Sequence, residues 1–479
     1  MNIRNYLSWL ALVGCLALSG FQAVPNEVPP PLDRPNIVLI VADDHGTDAL
    51  GCYGNPVIQT PNLDGLAADG VRFNRAYCTT ASCSASRSVI LSGKFNHTTG
   101  QYGHTHAYHH FQTFDTIRTL PVLLQAAGYR TARIGKYHVA PESVYHFEEA
   151  LPGSARNPVA MAQNCEDFLS QKSDQPFFLY FCTADPHRGG GKLERWETKP
   201  DRFGNQDAPR PGLQKITYDP ADVQVPDFLP DLPTTRAELS QYYESVSRVD
   251  QGVGSLLEYL KSIGEYENTL IIYLSDNGMA FPGAKTTLYE PGMRLPCIAK
   301  YPGQQEGGRV SNTRISWVDL MPTLLDYAET RPGDLVLHGL SFRQTLEGKP
   351  DNRPDVAYAS HSFHEITMYY PMRSVQLGKY KLIWNLAHGL EYPSASDLWE
   401  SATWQGALES GTGKLGPRPI ENYLHRPKWE LFDLQADPGE LNNLASNPRF
   451  GGLLNRMQLK LRIFMTTTKD PWLYKWEYE

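Results

Sequence analysis

The chain has 479 residues, of which 41% are hydrophobic, and its formal net charge is −8 at pH 7. This length and composition allow a large buried core in more than one domain. The negative charge argues against nucleic acid or a membrane surface as a general partner, although a local basic pocket for an acidic substrate is compatible with it. No internal apolar run is long enough to span a membrane. The seven cysteines are irregularly spaced and predict no disulfide framework, and no CxxC pair or His-rich run predicts zinc.

Residues 1–23 predict an export signal. Arg4 precedes a mostly apolar stretch from Tyr6 to Gly20, which is short for a membrane-spanning helix. We therefore expect an exported mature chain, in a periplasm, a lysosome or the medium. Cys15 lies in a lipoprotein-like box, which makes lipid anchoring a minority alternative. Residues 24–34 are rich in proline and predict an extended lead-in.

Asn36 to Ala42 is a continuous apolar run, typical of a strand that is buried on both faces of a parallel sheet. Asp43 and Asp44 follow it directly. Adjacent carboxylates repel each other unless a cation lies between them, which favours a divalent metal. A solvated turn explains the two residues equally well when they are considered alone.

The next notable stretch follows a predicted helix at Pro61 to Asp69 and a predicted strand at Val71 to Tyr77. In this stretch, after Tyr77, we expect a short helix that has Cys83 at its N-terminus and ends at Gly93. Free backbone N–H groups at a helix N-terminus suit a tetrahedral anion. Arg87, four residues on, lies on the same helical face. Alone, this pattern favours a Ser-rich cap with a buried thiol.

Three further predicted strands also lead into polar residues. The strands are Arg130 to Val139, Pro176 to Cys182 and Thr269 to Leu274. The polar residues are Lys136, His138, Asp185, His187, Asp276 and Asn277, with Lys285 in the loop after the last strand. Alternation along the first strand would place Lys136 and His138 on one face, suited to an anion and a proton shuttle. Open α/β sheets carry their sites beyond the carboxyl ends of their strands, so the pattern predicts one site at one sheet edge.

The remaining elements predict a second, smaller domain. Thr235 and Glu238 resemble a capping box that opens a long helix to about Ile263. From about Asp355 the pattern changes to antiparallel strands, with a hairpin near Gly378. An amphipathic helix follows at residues 447–467, so we expect an α+β domain there.

Together these residues resemble the formylglycine-dependent sulfatases of the alkaline-phosphatase superfamily. The motifs are Asp43-Asp44, Cys83-Ser84-Ala85-Ser86-Arg87, Gly135-Lys136-Tyr137-His138, Asp185-Pro186-His187, Ser275-Asp276-Asn277-Gly278 and Lys285. Further segments, from residue 102 to residue 472, are similar to the heparan N-sulfatases, or sulfamidases. The resemblance implies an α/β fold: a large alkaline-phosphatase-like mixed sheet sandwiched by helices, with a smaller C-terminal domain of antiparallel sheet plus helix. It assigns residues 35–354 to the catalytic domain and 355–479 to the C-terminal subdomain.

The resemblance also implies the chemistry. A formylglycine-generating or equivalent maturation enzyme would oxidise Cys83 to formylglycine, whose hydrate is the nucleophile. Calcium would be held by oxygen donors. The implied donors are Asp43, Asp44, Asp276, Asn277 and the modified Cys83. Arg87 would hold the hydrate, while Lys136 and Lys285 would neutralise the sulfuryl oxygens.

Two histidines have implied roles in proton transfer. His187 would protonate the leaving nitrogen, and His138 would assist collapse of the sulfated enzyme back to the aldehyde. The implied substrate is a sulfated glycosaminoglycan saccharide carrying N-sulfoglucosamine, and a homodimer is compatible with the resemblance. The implied substrate contacts are Asp185, His109, His364, Glu365 and Arg373. For the cluster of His104, His106, His109 and His110, a structural role in a packed loop is equally compatible.

Three alternatives remain at this point. An O-sulfatase would differ only in its contacts with the sugar. A phosphatase or phosphodiesterase of the same superfamily would need a Ser or Thr nucleophile and extra zinc ligands, which the sequence does not show. A glycan-binding protein without activity would have lost acid, base or metal ligands. Two departures bear on specificity and maturation: Ala85 stands where the family has proline, and Lys285 stands where we expect sulfamidases to carry arginine.

Overall fold

The computed structural model describes residues 34–189, 202–205 and 210–478. The predicted export signal, residues 1–23, and residues 24–33 of the predicted lead-in lie outside the described residues. Across the described ranges, none of the helices combines the length and apolar character that crossing a bilayer requires.

The strands in the described ranges are numbered in chain order. They are β1 (Asn36–Ala42), β2 (Val71–Phe73), β3 (Ala76–Tyr77), β4 (Arg130–Gly135), β5 (Glu149–Leu151), β6 (Phe177–Cys182), β7 (Thr269–Ser275), β8 (Cys297–Lys300), β9 (Arg309–Ser311), β10 (Ile315–Ser316), β11 (Val356–His361), β12 (Met372–Leu377), β13 (Tyr380–Asn385), β14 (Lys414–Leu415), β15 (Arg418–Pro419) and β16 (Trp429–Asp433).

The α-helices are numbered in the same way. They are α1 (Pro61–Asp69), α2 (Cys83–Ser92), α3 (Asn96–Thr99), α4 (Leu120–Ala126), α5 (Pro158–Asn164), α6 (Glu166–Ser170), α7 (Pro233–Ser262), α8 (Glu290–Met293), α9 (Leu320–Tyr327), α10 (Arg343–Leu346), α11 (Ser396–Trp399), α12 (Ala402–Glu409), α13 (Ile420–Leu424), α14 (Gly451–Thr467) and α15 (Lys475–Tyr478). Short 3-10 helices lie at Thr47–Ala49, Gly51–Tyr53, Tyr266–Asn268, Trp317–Asp319, Pro448–Phe450 and Pro471–Tyr474.

The main sheet has eight strands in the order β5-β4-β6-β1-β7-β8-β2-β9. Only β8 runs antiparallel to its neighbours, so the sheet is mixed. Strand β1 is central, because it pairs in parallel with β6 on one side and β7 on the other. The four predicted strands β4, β6, β1 and β7 are therefore consecutive in the sheet, and the polar residues after them meet at one edge. This confirms the expected fold class.

Helices cover both faces of the sheet, and β1 shows why its sequence is apolar throughout. Ile37, Leu39 and Val41 belong to the core that includes residues of α2, α4 and α9. Val38 and Ile40 point the other way, into the core that includes residues of α1, α5 and α7. A strand buried on both faces cannot alternate polar and apolar residues.

The end of β4 differs from the prediction. The strand stops at Gly135, where φ is 82°. A side chain is excluded there, since a Cβ on Gly135 would lie 2.0 Å from the carbonyl oxygen of Cys182. Lys136 and His138 therefore lie in a loop and do not share a strand face, and His138 itself has a positive φ of 54°.

The predicted capping box at Thr235 and Glu238 is wrong. Helix α7 begins at Pro233, and Thr235 lies inside its first turn. The Glu238 carboxylate instead accepts hydrogen bonds from the backbone N–H groups of Ala402 and Thr403, at 2.9 Å each. It also pairs with Arg188. Glu238 thus stabilises the N-terminus of α12, which comes from the C-terminal part of the chain.

The C-terminal part contains a four-stranded antiparallel sheet in the order β11-β12-β13-β16. Strands β12 and β13 form the predicted hairpin, in which Gly378 has a φ of 56°. Helix α14 packs against this sheet, and buried residues of both belong to the same core as one face of the main sheet. The division at residues 354 and 355 stays a prediction.

Arg373 is not placed as predicted for a substrate contact. Its side chain is fully buried on β12, and its guanidinium forms an ion pair with Asp470, with an Nη2–Oδ1 distance of 2.9 Å. The same group donates to the carbonyl oxygen of His361 at 2.8 Å. Arg373 therefore connects the sheet to the chain that follows α14, and its charge is not available to a ligand.

Replacement of Asp470 by alanine should destabilise the protein strongly. The change leaves the buried charge of Arg373 without its counter-ion, which costs about 3–5 kcal/mol of the free energy of unfolding. The matched control is Glu477→Ala, which removes an exposed ion pair with Arg462 and should cost less than about 1 kcal/mol. Urea unfolding followed by tryptophan fluorescence measures both, and equal losses would contradict the structural role of Arg373.

Candidate active site

Helix α2 places Cys83 at the centre of the sheet edge. Ser82 precedes the helix in an extended conformation, and Cys83 is its first residue. Gly93 ends the helix with a left-handed φ of 61°. The Ser86 hydroxyl donates to the backbone carbonyl of Asp276 at 2.5 Å, which ties the helix to the end of β7. Every residue of α2 is buried, so Cys83 has one fixed position.

Three carboxylates converge near Cys83, and all three are fully buried. Asp43 and Asp44 follow β1, and Asp276 follows β7. Asp44 takes the left-handed conformation, with a φ of 66°, and its backbone carbonyl accepts from the Tyr242 hydroxyl at 2.8 Å. The Asp276 Oδ1 atom accepts from the backbone N–H of Asp44 at 3.1 Å. The backbone therefore fixes how the three side chains face each other.

Three cationic side chains neutralise these carboxylates. Lys136 pairs with Asp43. Lys285 Nζ lies 2.9 Å from Asp44 Oδ2. The Arg87 Nε donates to Asp276 Oδ2 at 2.8 Å, and its Nη1 donates to the carbonyl of Lys136 at 3.0 Å. Each carboxylate thus has its own cation, as burial of charge requires.

The three carboxyl groups titrate differently. Burial is the largest influence on Asp43 and would raise its pKa, but the combined charges of Lys136, His187, Arg87 and Lys285 outweigh burial and hold that pKa well below its usual range. Burial likewise would raise the pKa of Asp44, but Lys285 and His187 together outweigh it and lower that pKa to about 2. For Asp276 burial dominates and raises the pKa to about 7. Asp43 and Asp44 are therefore charged at neutral pH.

The oxygen atoms at this edge fit a hard cation. Among the described residues, Asp43 Oδ1 and Asn277 Oδ1 are buried without a hydrogen-bond partner. The ligand atoms of Asp43, Asp44, Cys83 and His187 all lie within 4.8 Å of one another. Buried oxygens that lack a donor are costly unless an ion satisfies them. Carboxylate and amide oxygens in this number are typical ligands of calcium.

His187 connects the carboxylates to a cavity. Its Nδ1 lies 2.6 Å from Asp44 Oδ2 and 3.2 Å from Lys285 Nζ. Burial lowers its pKa, and Lys285 lowers it further. A quarter of the side chain is nevertheless exposed, so the ring can reach a bound molecule.

Three of the four histidines of the predicted cluster, His104, His106 and His109, lie close together, and His138 and His364 join them from elsewhere in the sequence. His104 Nε2 lies 3.0 Å from His364 Nε2, and His364 Nδ1 lies 3.0 Å from the Ser82 hydroxyl. His106 Nδ1 lies 2.6 Å from His138 Nε2. His110 is exposed. The cluster therefore combines a structural contact to the start of α2 with residues that face the cavity.

A cavity of about 160 Å³ opens over Cys83. Its lining includes Cys83, His104, His106, Tyr108, His109, Lys136, His138, His187, Lys285, His364, Glu365, Ser396 and Asp397. Two larger cavities, of about 320 and 430 Å³, contain none of these residues. Of the predicted substrate contacts, His109, His364 and Glu365 are thus at the cavity.

Asp185 is not placed as predicted for a substrate contact. Its carboxylate is fully buried between two guanidinium groups, with Arg156 Nη1 at 2.7 Å and Arg248 Nε at 2.9 Å. Its backbone carbonyl accepts from the N–H of Asp43 at 3.2 Å. Asp185 therefore holds neighbouring strand ends together and does not line the cavity.

Asp397 is a cavity residue that the sequence did not reveal. Its Oδ2 lies 2.8 Å from Lys285 Nζ, while its Oδ1 is buried without a hydrogen-bond partner among the described residues. The adjacent Ser396 binds Glu365, with its backbone N–H 2.9 Å from Oε1. Asp397 lies on α11, a single turn without apolar periodicity, so no sequence signal marked it.

Comparison with known proteins gives two family matches. The family described as Sulfatase matches residues 35–330, and the family described as N-sulphoglucosamine sulphohydrolase, C-terminal, matches residues 283–400. The N-sulphoglucosamine sulphohydrolase of Homo sapiens is 38% identical over 463 residues, which cover 91% of each chain. The N-acetylglucosamine-6-O-sulfatase of Bacteroides thetaiotaomicron is 27% identical, with 91% of this chain and 87% of that protein covered.

A solved structure shares the fold. It is described as a complex with the substrate D-glucosamine-2-N,6-O-disulfate, and it superposes with a TM-score of 0.65 at 24% identity. The match covers 91% of this chain and 99% of the other. The main sheet and the C-terminal sheet thus belong to one known architecture.

Unmodified Cys83 should react slowly with an alkylating reagent in the folded protein. Burial raises the pKa of the thiol well above its usual value, and Asp43 and Asp44 raise it further. Each unit of pKa lowers the thiolate fraction about tenfold, so we expect alkylation at least about tenfold slower in the native chain than in urea. Mass spectrometry of the Cys83 peptide, with iodoacetamide at neutral pH, measures both rates. Equal rates would contradict the burial of Cys83.

Proposed function

The chain belongs to the sulfatase family, and on that premise we propose that it removes sulfate from N-sulfoglucosamine units of heparan sulfate or heparin saccharides. The observation that carries the proposal is Cys83 at a buried helix N-terminus, with Lys136, Lys285 and His187 around the cavity above it. The 38% identity to the human N-sulphoglucosamine sulphohydrolase supports this choice of substrate.

The proposed nucleophile derives from Cys83. Formylglycine, formed there by a maturation enzyme, would supply a hydrated aldehyde with one hydroxyl to attack sulfur and a second to expel sulfate by elimination. Arg87 does not line the cavity, and it holds Asp276 and the Lys136 carbonyl. We therefore assign Arg87 to fixing the nucleophile and its surroundings.

We propose that calcium binds among the carboxylates. Asp43, Asp44, Asp276 and Asn277 would hold the ion, and their two buried oxygens without donors support this assignment. When bound, calcium supplies positive charge that stabilises an ionised hydroxyl at residue 83. Because hard oxygen donors dominate, the ligand set favours calcium over zinc.

Lys136 and Lys285 would neutralise the sulfuryl group. Both line the cavity beside Cys83, and each is held in place by a carboxylate. A cation in a fixed position stabilises charge that develops on the sulfuryl oxygens without any rearrangement during the reaction. Lysine in place of arginine at residue 285 supplies a point charge rather than a planar fork.

His187 would donate a proton to the leaving nitrogen. An amine is a poor leaving group, so an acid within hydrogen-bond reach is required. The carboxylate of Asp44 orients the ring through Nδ1, which leaves the opposite edge for the substrate. We assign His138 to proton transfer as sulfate departs, because it lines the same cavity.

Glu365, Asp397 and the cavity histidines would recognise the sugar. The buried Asp397 Oδ1 lacks a donor, and a hydroxyl or N–H of glucosamine can supply one. A carboxylate beside Lys285 can also stabilise the positive charge that develops on the leaving nitrogen as it is protonated. That feature favours N-sulfate over O-sulfate, because a leaving alcohol is neutral after protonation whereas a leaving amine can become a cation.

We further propose export of the mature chain through the signal at residues 1–23, with lipid anchoring through Cys15 as the minority alternative. A homodimer is proposed from the sulfamidase likeness alone. The maturation enzyme is the one protein partner that the chemistry itself requires.

The substrate proposal is tested with matched saccharides. Purified, matured, calcium-loaded enzyme is given heparan-type saccharides that carry only N-sulfate or only O-sulfate. We expect sulfate and a free amine from the N-sulfated sugar, with turnover abolished in Cys83→Ala. Sulfate release only from the O-sulfated sugar would overturn the specificity and retain the family.

Calcium binding is tested with Asp276→Asn. We expect this variant to lose calcium binding and activity together, because one ligand is neutralised. In the unchanged chain, calcium at a hundredfold excess over its dissociation constant should stabilise the fold by about 2.7 kcal/mol, and the variant should lose this gain. The control is Asp115→Asn, an exposed site. Calorimetric titration and thermal unfolding measure both effects, and calcium binding of normal affinity in Asp276→Asn would refute the assignment.

A further inference from the structure

Three of the histidines that line the cavity form a compact triangle. One ring nitrogen from each of His104, His106 and His138 lies within 4.8 Å of the others. The ring centroids are 4.8 Å apart for His104 and His106, 4.8 Å for His106 and His138, and 5.1 Å for His104 and His138. Zinc–nitrogen bonds of about 2.0–2.1 Å with tetrahedral angles place ligating nitrogens about 3.3 Å apart. Small side-chain rotations would therefore bring the three rings to one ion.

The hydrogen bonding of these rings is incomplete. Among the described residues, the Nδ1 atoms of His104 and His138 are buried without a hydrogen-bond partner. His138 uses its other nitrogen to face His106 across 2.6 Å. Buried nitrogens without partners are costly. A metal ion can bind an imidazole lone pair directly and so take the place of a missing hydrogen-bond donor.

The charge state of the rings suits a metal. Burial lowers the pKa of both His104 and His138 well below the usual value, and nearby cations lower it further. Their lone pairs are therefore free at neutral pH. The nearest of these cations to His138, Lys136, is already paired with Asp43, which limits its repulsion of a second cation.

The ligand type selects the metal class. Three imidazoles without a carboxylate suit zinc and related transition metals, whereas calcium requires oxygen ligands. His109 is not a fourth ligand through Nδ1, because that atom accepts from the backbone N–H of Ile366 at 3.1 Å. His106 is exposed, so solvent can complete the coordination.

We propose that His104, His106 and His138 form a second metal site, for zinc or a similar transition-metal ion, and that its occupation inhibits the enzyme. The ion would engage His138 and occupy part of the cavity of about 160 Å³ that admits the saccharide. The inhibitory role rests on the proposed function, whereas metal binding does not. The sequence lacks a CxxC pair, and the fold creates this site by bringing His138 to the histidine-containing loop of His104 and His106.

Binding is tested first with cobalt(II), whose visible absorption reports coordination. The full chain carries Cys83→Ala, so that a thiolate cannot bind the metal, and calcium is saturating. We expect one equivalent of cobalt with tetrahedral absorption bands that zinc displaces. His106→Gln should weaken cobalt binding at least about tenfold. Changes to the residues around a bound metal typically lower its affinity by about 10–100-fold.

The matched control is His110→Gln, which changes an exposed histidine of the same loop outside the triangle and should bind cobalt like the parent. Absence of cobalt binding, or equal affinity in His106→Gln and the parent, would overturn the proposed site.

Inhibition is tested next with matured, calcium-saturated enzyme and the N-sulfated saccharide. Zinc should lower kcat/KM, a chelator selective for zinc should restore it, and His106→Gln should need at least about tenfold more zinc, relative to its own zinc-free rate. Zinc binding without inhibition would overturn the inhibitory role. An enzyme inactive on N-sulfate without zinc would overturn the proposed function and leave the cobalt result standing.

Discussion

The site depends on mutual neutralisation of charges that are buried together at one sheet edge. An isolated carboxylate at such a depth would lose most of its hydration without compensation. The pairs are Asp43 with Lys136, Asp44 with Lys285, and Asp276 with Arg87. Each pair joins groups from different elements, so the strand ends, helix α2 and the loop after β7 must be assembled together. The buried charges therefore restrict how these elements can pack together, and the same groups are the ones proposed to act in the reaction.

The C-terminal part of the chain completes the cavity. His364, Glu365 and Asp397 come from segments near its antiparallel sheet, and Asp397 shares Lys285 with Asp44. In return, Glu238 on α7 stabilises the start of α12. The residues proposed to act on sulfate thus lie mostly in loops that follow strands of the main sheet, while several residues proposed to recognise the sugar lie in the C-terminal part of the chain. Such a division allows the recognised sugar to change while the sulfate chemistry stays the same.

The sequence predicted the parts of the fold that follow local rules. Apolar runs located β1, β6 and β7, and the polar residues after them met at one edge because the strands are parallel neighbours. Buried ion pairs could not be predicted, since Asp470 lies 97 residues from Arg373 and no local pattern links them. The bend at Gly135, which moved Lys136 and His138 off the strand, depends on the adjacent strand. Asp397 also could not be predicted, because only tertiary packing brings it to Lys285.

The burial of α2 has a consequence for biosynthesis. Cys83 lies at the floor of a small cavity in the folded chain, and all ten residues of its helix are buried. An enzyme that oxidises a cysteine must hold the surrounding segment in its own cleft, which the finished fold does not permit. The proposed oxidation of Cys83 would therefore have to precede folding, while the segment is still extended. On the proposed mechanism, the active fraction of a preparation would then be set by competition between the rates of oxidation and folding, and chains that fold first would remain inactive however long they are stored.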